Sequence, residues 1–345
     1  MRILLIGNFA PPFEEENLHN LTLLDLLRQD GNDCCVINIS EKPAKEQGFI
    51  NIKSYPDFII KLVRCAWKRD VMHFLTKGYT RPGLMKLITA VVISRMFWAR
   101  PVITLHPEMF AVFGRLRSKM GGQQLLHLSF SLAKKVICGD LHTYEIAAMH
   151  YQAKDKFVMI LPAIKIPGEI KEDELLFLEP LKNKKRVIFV SDIKYPSLLF
   201  DMLNILLSKY LDQDTGIAIS FSEGFSARLE IAIKEAGRKH LANMVLIDYT
   251  EKRLLSIACS NADFVLRIPN CDGKTLFEEM AFIVRRAVRS ENYLYFPASF
   301  LLLKEGETTE VCADIFNAIL MKTAEMPAVS LPEDFEKQLK DIYTA

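Results

Sequence analysis

Several common enzyme signatures are absent from this 345-residue sequence. It contains no Gly-x-Gly-x-x-Gly stretch and no Walker A motif, which argues against a dinucleotide-dependent oxidoreductase and a P-loop enzyme. A Gly-x-Ser-x-Gly elbow is also missing, so a serine hydrolase of the α/β type is not indicated. His142 and His150 lie eight positions apart without a third ligand nearby, so the sequence predicts no metal site.

Long hydrophobic runs are lacking as well. The longest apolar segment, Leu84–Trp98, is interrupted by Lys86 and Arg95 and is shorter than the ~20 residues that a membrane-spanning helix needs. The opening Met1–Gly7 is too short for a signal peptide. The seven cysteines have no paired metal spacing and fall mostly in apolar runs, which favours reduced, buried thiols. These features predict a cytoplasmic protein.

The net charge of +2 conceals two halves of opposite charge. Residues 1–165 hold 22 Lys and Arg against 14 Asp and Glu, a net of +8, whereas the remainder holds 22 against 28, a net of −6. The basic half is either an ordinary solvated surface or a surface attracted to anionic lipid headgroups at the inner face of a membrane or to a phosphorylated acceptor. Nucleic acid is not predicted as a partner, because no basic stretch is interleaved with aromatic residues as in a binding module. Much of the basic excess comes from Arg64, Lys68, Arg69, Arg95, Arg100, Arg115, Arg117 and Lys119.

Short runs of Val, Ile and Leu alternate with helical patterns along the whole chain. The runs are apolar throughout, as expected for strands buried on both faces, and their alternation with helices predicts doubly wound parallel sheets. In the first half, the predicted strands are Arg2–Ile6, Cys34–Ile39, Val71–Leu75, Pro101–His106, Lys135–Cys138 and Phe157–Leu161, and the predicted helices lie near 16–29, 83–97, 120–132 and 141–151. In the second half, the predicted strands are Val187–Val190, Ile217–Phe221, Met244–Asp248 and Phe264–Ile268, and the predicted helices cover 197–210, 226–237, 252–260, 275–284, 309–322 and 332–343.

The pattern breaks once, in a charged, helix-poor stretch that contains Pro167-Gly168. We therefore expect an α/β protein made of two tandem Rossmann-like, doubly wound parallel-sheet domains that face each other across a cleft. The predicted divisions are an N-terminal domain over 1–165, a linker over 166–185, a C-terminal domain over 186–325, and a C-terminal helix within 326–345 that could cross back to the first domain.

The stretch 264–282 is the most informative part of the sequence. An apolar strand, Phe264–Ile268, is followed by a turn, Pro269–Gly273, and then by a predicted helix start that carries Glu278 and Glu279 in its first turn. Crevices for nucleotides and their sugars open at the carboxyl ends of parallel strands. Carboxylates at such an end are therefore candidates for binding a hydroxyl-rich ligand.

The order of these landmarks resembles that of the GT-B glycosyltransferases, and within them the retaining family 4, also called glycosyl transferases group 1. In the first half the resemblance is carried by Ile3-Leu-Leu-Ile-Gly7-Asn8, Asp70–Leu75, Pro101–His106, Ala133–Cys138 and Lys156–Pro162. In the second half it is carried by Val187–Lys194, Asn261–Leu266 and Phe277–Ala281. The resemblance covers nearly the whole chain in order, although each single piece is short.

The family resemblance implies a donor site in the second domain. Glu278 would accept hydrogen bonds from the ribose hydroxyls of a nucleotide sugar, unless it is only an exposed acid at a helix start. Lys194 would neutralise the donor diphosphate, with Arg267 as the alternative, although Arg267 could instead pair with Asp272 or Glu278. Asp272 would hold sugar hydroxyls, or else make an Asx-type turn before a glycine.

Four residues of the first domain are also singled out. His106 ends a predicted strand, and in the family a histidine there contacts the transferred sugar, although a structural role is the alternative. Gly7 and Asn8 lie at the first strand–helix turn, where backbone amides approach bound ligands. His73 lies inside a strand and is predicted to be a core residue with satisfied hydrogen bonds.

The implied function is transfer of a sugar from a nucleotide-sugar donor to a glycan, lipid-linked or small-molecule acceptor in polysaccharide biosynthesis, with retention and without a metal or other cofactor. The sequence also departs from the family pattern. The family usually has two glutamates eight positions apart, whereas Asn270 and Cys271 stand eight positions before Glu278 and Glu279. These departures keep a second hypothesis open, a catalytically degenerate homologue that binds a partner or regulates it. A sugar-nucleotide epimerase is a third, but it would need more acid and base residues than the sequence offers.

Overall fold

The computed structural model describes residues 1–9, 15–40, 48–76, 81–105, 122–150, 154–165, 171–191, 214–221, 244–248, 251–267, 280–289, 293–303 and 335–344. The chain divides into two compact units. The first unit comprises Met1–Pro11, Glu16–Ala163 and Pro332–Ala345, and the second comprises Pro12–Glu15 and Ile164–Leu331. Each unit contains its own seven-stranded sheet, so the prediction of two tandem Rossmann-like α/β sheets is confirmed.

The first sheet is parallel throughout, with the strand order β3-β2-β1-β4-β5-β6-β7. Its strands are β1 Arg2–Gly7, β2 Asp33–Asn38, β3 Phe49–Asn51, β4 Val71–Thr76, β5 Arg100–Leu105, β6 Lys135–Cys138 and β7 Phe157–Met159. Its helices are α1 Glu15–Gln29, α2 Tyr55–Ala66, α3 Arg81–Met96, α4 Gly122–Leu132 and α5 Leu141–His150, followed by a 3₁₀ turn, Lys154–Lys156. The six predicted strands and four predicted helices of this half are confirmed, within the usual small shifts at their ends.

Two elements of the first unit were not predicted, α2 and the three-residue strand β3. Helix α2 begins after Ser54, whose hydroxyl accepts a hydrogen bond from the Asp57 backbone N–H at 3.3 Å, and it has a proline in its first turn. Phe58, Leu62 and Ala66 lie on one stripe of α2 and are fully buried in the core. This spacing of four residues is a helical signal that was usable from the sequence.

Three hydrogen-bonded polar side chains, those of His73, Thr104 and Tyr343, lie together in the buried interior of the first unit. His73 on β4 has no exposed surface, and its Nε2 lies 2.7 Å from the Thr104 hydroxyl on β5. Its Nδ1 is hydrogen-bonded to the Tyr343 hydroxyl, and burial raises the pKa of Tyr343 well above its ordinary value. The prediction that His73 is a satisfied core residue is confirmed. Tyr343 belongs to the C-terminal helix α8, Phe335–Thr344, which thereby packs in the first unit.

The second sheet has the order β11-β10-β9-β12-β13-β14-β8. Strands β9 Arg186–Ser191, β10 Thr215–Phe221, β11 Met244–Asp248 and β12 Phe264–Arg267 pair in parallel, as predicted. The remaining strands are β8 Ala163–Lys165, β13 Met280–Arg289 and β14 Tyr293–Leu303, and the helices are α6 Glu172–Phe177, a 3₁₀ turn Glu179–Leu181 and α7 Lys252–Ser260. Helix α7 confirms the helix predicted over 252–260. The helices predicted over 197–210, 226–237 and 309–322 lie outside the described residues.

The helix predicted over 275–284 is wrong in its second half. Residues 280–284 begin β13, which pairs antiparallel with β12 and then with β14. The run Phe282-Ile283-Val284 is rich in residues that favour strands, and the equally apolar β14 offers it a partner. The second sheet is therefore mixed, with a four-stranded parallel part and an antiparallel hairpin.

The predicted linker, 166–185, was expected to be poor in helix, which is wrong for Glu172–Phe177 and Glu179–Leu181. Helix α6 is fixed by Glu174, which accepts a hydrogen bond from the Lys171 backbone N–H at 2.8 Å. Glu174 also accepts hydrogen bonds from the Arg253 guanidinium of α7, one of them at 3.1 Å, and this contact holds the pKa of the carboxyl below its usual value. The segment is therefore part of the second unit.

Candidate functional site

In the parallel part of each sheet, there is one point where the direction in which successive strands are added reverses. In the first sheet the chain runs from β1 outward to β2 and then returns to β4 on the other side of β1. In the second sheet it runs from β9 outward to β10 and β11, and β12 pairs on the other side of β9. In open α/β sheets, ligands bind outside the carboxyl ends of the strands at such points. The candidate sites are therefore the ends of β1 and β4, and the ends of β9 and β12.

In the second sheet, the reversal places Ser191 and Arg267 beside each other. They are the last described residues of β9 and β12, and their Cα atoms are partners in the parallel register. Lys194 follows Ser191 by three residues, whereas Asp272 and Glu278 follow Arg267 by five and eleven. Lys194, Asp272 and Glu278 themselves lie outside the described residues, as does His106, which directly follows β5. The segment that contains Lys194 and the segment that contains Asp272 and Glu278 thus follow adjacent strands of the sheet.

In the first sheet, Gly7 ends β1 where it runs beside β4. A β-carbon at Gly7 would lie 2.9 Å from the Leu75 β-carbon and 3.3 Å from the Leu75 backbone oxygen. Since real β-carbons do not come so close, the packing of β1 against β4 is sufficient reason for a glycine here. The suggested role of the Gly7 backbone in ligand binding stays a prediction.

A buried network of asparagines fixes the turn that follows β1. The Asn38 side-chain oxygen at the end of β2 accepts hydrogen bonds from the backbone N–H groups of Phe9 and Ser40, each at 3.2 Å. The Asn38 amide donates to the Asn51 side-chain oxygen at 3.0 Å. Asn20 on α1 donates to the Asn8 backbone oxygen at 2.8 Å. Asn8 therefore contributes to this network through its backbone.

Two polar atoms in the same network have unused hydrogen-bonding capacity. Asn20 is only 2% exposed, and its side-chain oxygen has no hydrogen-bond partner among the described residues. The buried Ser40 hydroxyl likewise has none within that part of the chain. A buried polar atom without a partner costs about 1–3 kcal/mol. Atoms of this kind at the carboxyl edge of a parallel sheet are suited to bind the hydroxyl or amide groups of a ligand.

Gly7 and Asn8 of this region were predicted as site residues from the sequence, whereas Asn20, Asn38 and Ser40 were not. Asn38 and Ser40 follow the apolar part of β2, so their position at a strand end was a usable signal. Asn20 lies in the first half of α1, where buried polar residues replace the apolar residues expected at helical spacing. This departure from the apolar pattern indicates that the first half of α1 does more than pack in the core and is a candidate for ligand binding.

Neither a metal cluster nor a membrane span is found in the parts of the chain that the structure covers. Across the described ranges, no three His, Cys, Asp or Glu side chains are grouped so that they could hold a metal ion. No helix in those ranges is both long and apolar enough to cross a membrane.

No protein-family model matches the sequence, and no curated protein matches it.

Among solved structures, the chain is similar to Anabaena Alr3699/HepE in complex with UDP and glucose, with 14% identity, a TM-score of 0.48, and 77% of this chain and 73% of that chain covered. It is also similar to the UDP-GlcNAc 2-epimerase from Neisseria meningitidis bound to UDP-GlcNAc, with 13% identity, a TM-score of 0.48, and coverage of 81% and 79%. A third similar structure is an alpha-glucosyltransferase in complex with UDP and a 13-mer DNA, with 11% identity, a TM-score of 0.45, and coverage of 77% and 71%. With TM-scores of 0.48 or lower, the fold assignment rests on the strand order and pairing described above.

Proposed function

We propose that this chain is a GT-B-type glycosyltransferase that moves a sugar from a nucleotide-sugar donor to a glycan, lipid-linked or small-molecule acceptor. The donor binds the second unit and the acceptor binds the first. Transfer proceeds with retention and without a metal. The observation that carries the proposal is the Cα pairing of Ser191 with Arg267, because it brings two sequence-predicted donor segments to one reversal point.

The donor site of this proposal is built from the segments after β9 and β12. Lys194 and Arg267 supply the positive charge that a departing nucleoside diphosphate needs, since negative charge develops on its bridging oxygen as the sugar leaves. Glu278 accepts hydrogen bonds from the ribose hydroxyls, and Asp272 accepts them from the sugar. His106, after β5 of the first unit, contacts the transferred sugar.

The acceptor site of this proposal is the carboxyl edge of the first sheet. Support comes from the unused Asn20 oxygen and Ser40 hydroxyl, which are held in place by the network through Asn38 and Asn8. An amide oxygen accepts hydrogen bonds, whereas a hydroxyl both donates and accepts them. A sugar or polyol acceptor matches this combination better than an apolar molecule does.

Isothermal titration calorimetry with UDP, GDP and ADP, and with the corresponding free nucleosides, tests the donor site. Lys194→Ala should weaken binding of the preferred nucleoside diphosphate about tenfold or more, because a charge-assisted hydrogen bond is worth roughly 1.5–3 kcal/mol. The same variant should leave nucleoside binding nearly unchanged. Lys182→Ala is the matched control, since Lys182 is an exposed lysine of the second unit that lies 3.6 Å from Glu179.

Absence of nucleotide binding by the folded protein at millimolar concentrations would refute the donor site. Equal effects of Lys194→Ala and Lys182→Ala would refute the role of Lys194.

A second candidate function is that of a non-catalytic GT-B homologue that binds or regulates a partner. It is favoured by β13, because a strand that begins at Met280 replaces the second half of the helix predicted over 275–284. The two candidates differ in one measurement, release of free nucleoside diphosphate from a bound nucleotide sugar on addition of an acceptor. The non-catalytic homologue binds the nucleotide sugar without releasing the diphosphate.

A further inference from the structure

The three helices α2, α3 and α4 of the first unit expose an apolar surface to solvent. Right-handed crossovers place these helices on the same side of the first sheet, and α3 packs against both α2 and α4. On α2 and α3 the exposed apolar residues recur at helical spacing, so these two helices present them as a stripe. We call this surface the tryptophan face; it consists of Ile60, Val63 and Trp67 with α2, Met85, Val92, Met96 and Trp98 with α3, and Leu128 on α4.

The tryptophan face contains both tryptophans of the protein. Trp98 is 93% exposed, Met96 is 69% exposed and Trp67 is 62% exposed. The Trp67 ring contacts the Phe97 ring edge-on, with centroids 5.7 Å apart, so the ends of α2 and α3 lie together. Single exposed apolar residues are normal, but several large ones on adjoining helices mark an interaction surface.

The backbone at Trp98 indicates that the indole is held outward at a cost. Helix α3 ends in a Schellman motif, in which the Ala99 N–H donates to the Ser94 oxygen and the Trp98 N–H to the Arg95 oxygen. Trp98 has a φ of 62°, in the left-handed region that favours glycine. Helix α1 ends in the same motif with Gly31 at the equivalent position, with a φ of 74°. The same left-handed position is therefore a glycine at the end of α1 and a tryptophan at the end of α3, on the tryptophan face.

The end of α2 also has a residue other than glycine in a left-handed conformation. The Arg69 N–H donates to the Ala66 oxygen at 3.2 Å, which closes a turn with Trp67 and Lys68 at its centre. Trp67 has φ −57° and ψ 125°, and Lys68 has a φ of 59°, which are the angles of a type II turn. Glycine is favoured at the Lys68 position of such a turn. Strained positions of this kind persist at functional surfaces.

The charge of these helices is almost entirely positive. The sequences of α2, α3 and α4 contain one acid, Asp57, and its carboxylate is bound to Lys61 of the same helix at 2.7 Å. Arg64 and Lys68 flank the α2 stripe and are exposed, and Arg95 is exposed beside Met96. Between Lys53 and Arg100 the sequence holds ten Lys and Arg against two Asp. A surface that pairs exposed indoles with arginine and lysine is complementary to an anionic one.

We propose that the tryptophan face docks the first unit on the surface of a bilayer that contains anionic lipids. Indole rings are stable at the boundary between headgroups and hydrocarbon, where the ring is apolar and its N–H stays hydrated. The surrounding arginine and lysine side chains bind the lipid phosphates. The occupant is a lipid surface, because the most exposed apolar side chains, Trp67, Met96 and Trp98, lie at the ends of α2 and α3 beside exposed arginine and lysine, which matches the boundary of an anionic bilayer. This docking does not depend on the transferase activity.

Vesicle binding by the intact protein, without nucleotide, tests the docking. Because both tryptophans lie on the tryptophan face, intrinsic tryptophan fluorescence reports on it directly. Vesicles that contain phosphatidylglycerol should shift the emission to the blue and should carry the protein down on sedimentation. Vesicles of phosphatidylcholine alone should do neither, and added salt should weaken the binding to anionic vesicles.

Variants separate the apolar and charged contributions. Trp98→Gly should weaken sedimentation with anionic vesicles about tenfold, because it removes an indole without disturbing the core. Arg64→Gln combined with Lys68→Gln should weaken it tenfold or more. Leu176→Ser is the matched control, since Leu176 is a 74% exposed apolar residue of the second unit, and it should bind vesicles like the wild type.

Three results would overturn the proposal. One is a wild-type protein that neither shifts in fluorescence nor sediments with anionic vesicles. Another is an equal loss of binding in Trp98→Gly and Leu176→Ser. The third is lipid-free self-association that Trp98→Gly abolishes, because the face would then be a contact between copies of the chain.

Discussion

Replacement of Trp98 by glycine should stabilise the first unit, although it removes the largest side chain available. A left-handed residue other than glycine costs roughly 1–2 kcal/mol, and glycine removes this cost. The greater freedom of glycine in the unfolded chain offsets about 0.5–1 kcal/mol of that gain. Loss of side-chain contacts adds little, because Trp98 is 93% exposed. We therefore expect a net gain of about 0.5–1 kcal/mol.

Urea unfolding followed by far-UV circular dichroism measures this gain without depending on the removed fluorophore. With a typical slope of roughly 1–3 kcal/mol per molar, the midpoint of the first-unit transition should rise by about 0.2–1 M with an unchanged slope. Gly31→Ala is the converse control. A β-carbon at Gly31 meets nothing within 4 Å, so the strain at a φ of 74° is offset only by the lower freedom of alanine in the unfolded chain. The free energy of unfolding should therefore fall by about 0.5–1 kcal/mol.

A lower midpoint for Trp98→Gly, in a protein where Gly31→Ala behaves as expected, would refute this reasoning. The indole would then contribute contacts that its exposure does not reveal. A rise in stability together with a loss of vesicle binding would separate the two properties of this residue, as expected where a strained residue is kept for function.

Three further predictions concern buried and half-buried groups of the first unit. Tyr343→Phe should lower the free energy of unfolding by about 1–3 kcal/mol in urea titrations, because it leaves the buried His73 nitrogen without its partner. Iodoacetamide should modify Cys35 before Cys34 near pH 8, as measured by tandem mass spectrometry. The reason is that a hydrogen bond with a neighbouring thiol on α2 lowers the pKa of Cys35 to about 7, whereas burial raises the pKa of Cys34 to about 11. Asp70→Asn should be less stable than the wild type at neutral pH and equally stable in acid. Hydrogen bonds from the first residue of β1 lower the pKa of the Asp70 carboxyl in the folded state, so its stabilising effect is fully present above the ordinary value of 3.8 and is lost as the pH falls from there through the lower folded-state pKa.

Each of these predictions has a control or a contrary result. Tyr144→Phe, on the half-buried side chain of α5, should change stability by less than about 0.5 kcal/mol, and a loss equal to that of Tyr343→Phe would count against the buried hydrogen bond. Equal modification of Cys34 and Cys35 would show that exposure rather than acidity controls their reactivity. For Asp70→Asn, a deficit that persists in acid would point to lost packing instead of lost charge.

The fold was largely predictable because its parallel strands are buried on both faces and therefore stand out as apolar runs. Helix α2 carries Phe58 and Leu62 at helical spacing, but this pattern is short and the longer apolar segment of α3 follows it closely. The segment after residue 279 was assigned to a helix because Glu-Glu-Met-Ala resembles a helical motif. Its antiparallel pairing with β12 and with the following strand β14 decided otherwise, and the pairing with β12 is a tertiary effect that local sequence does not reveal.

The candidate site was predictable only in part. Gly7 and Asn8 were identified from their position after the first strand, but the asparagine network that surrounds them depends on contacts between α1, β2 and β3. Asn20 and Asn38 are separated by eighteen positions in the sequence, and nothing in the local pattern links them. The register of Ser191 with Arg267 likewise arises from strand order, which the sequence pattern leaves open.

The contact between His73 and Tyr343 joins residues 270 positions apart. During synthesis on the ribosome, the first unit must wait for the second to be translated before its last helix can dock. Until then His73 lacks its phenol partner and the surface that α8 will cover remains open to other hydrophobic molecules. Removal of Phe335–Thr344 would therefore damage the first unit, which contains the earliest residues of the sequence, and a chaperone that protects the nascent first unit would be needed longest by such a truncated chain.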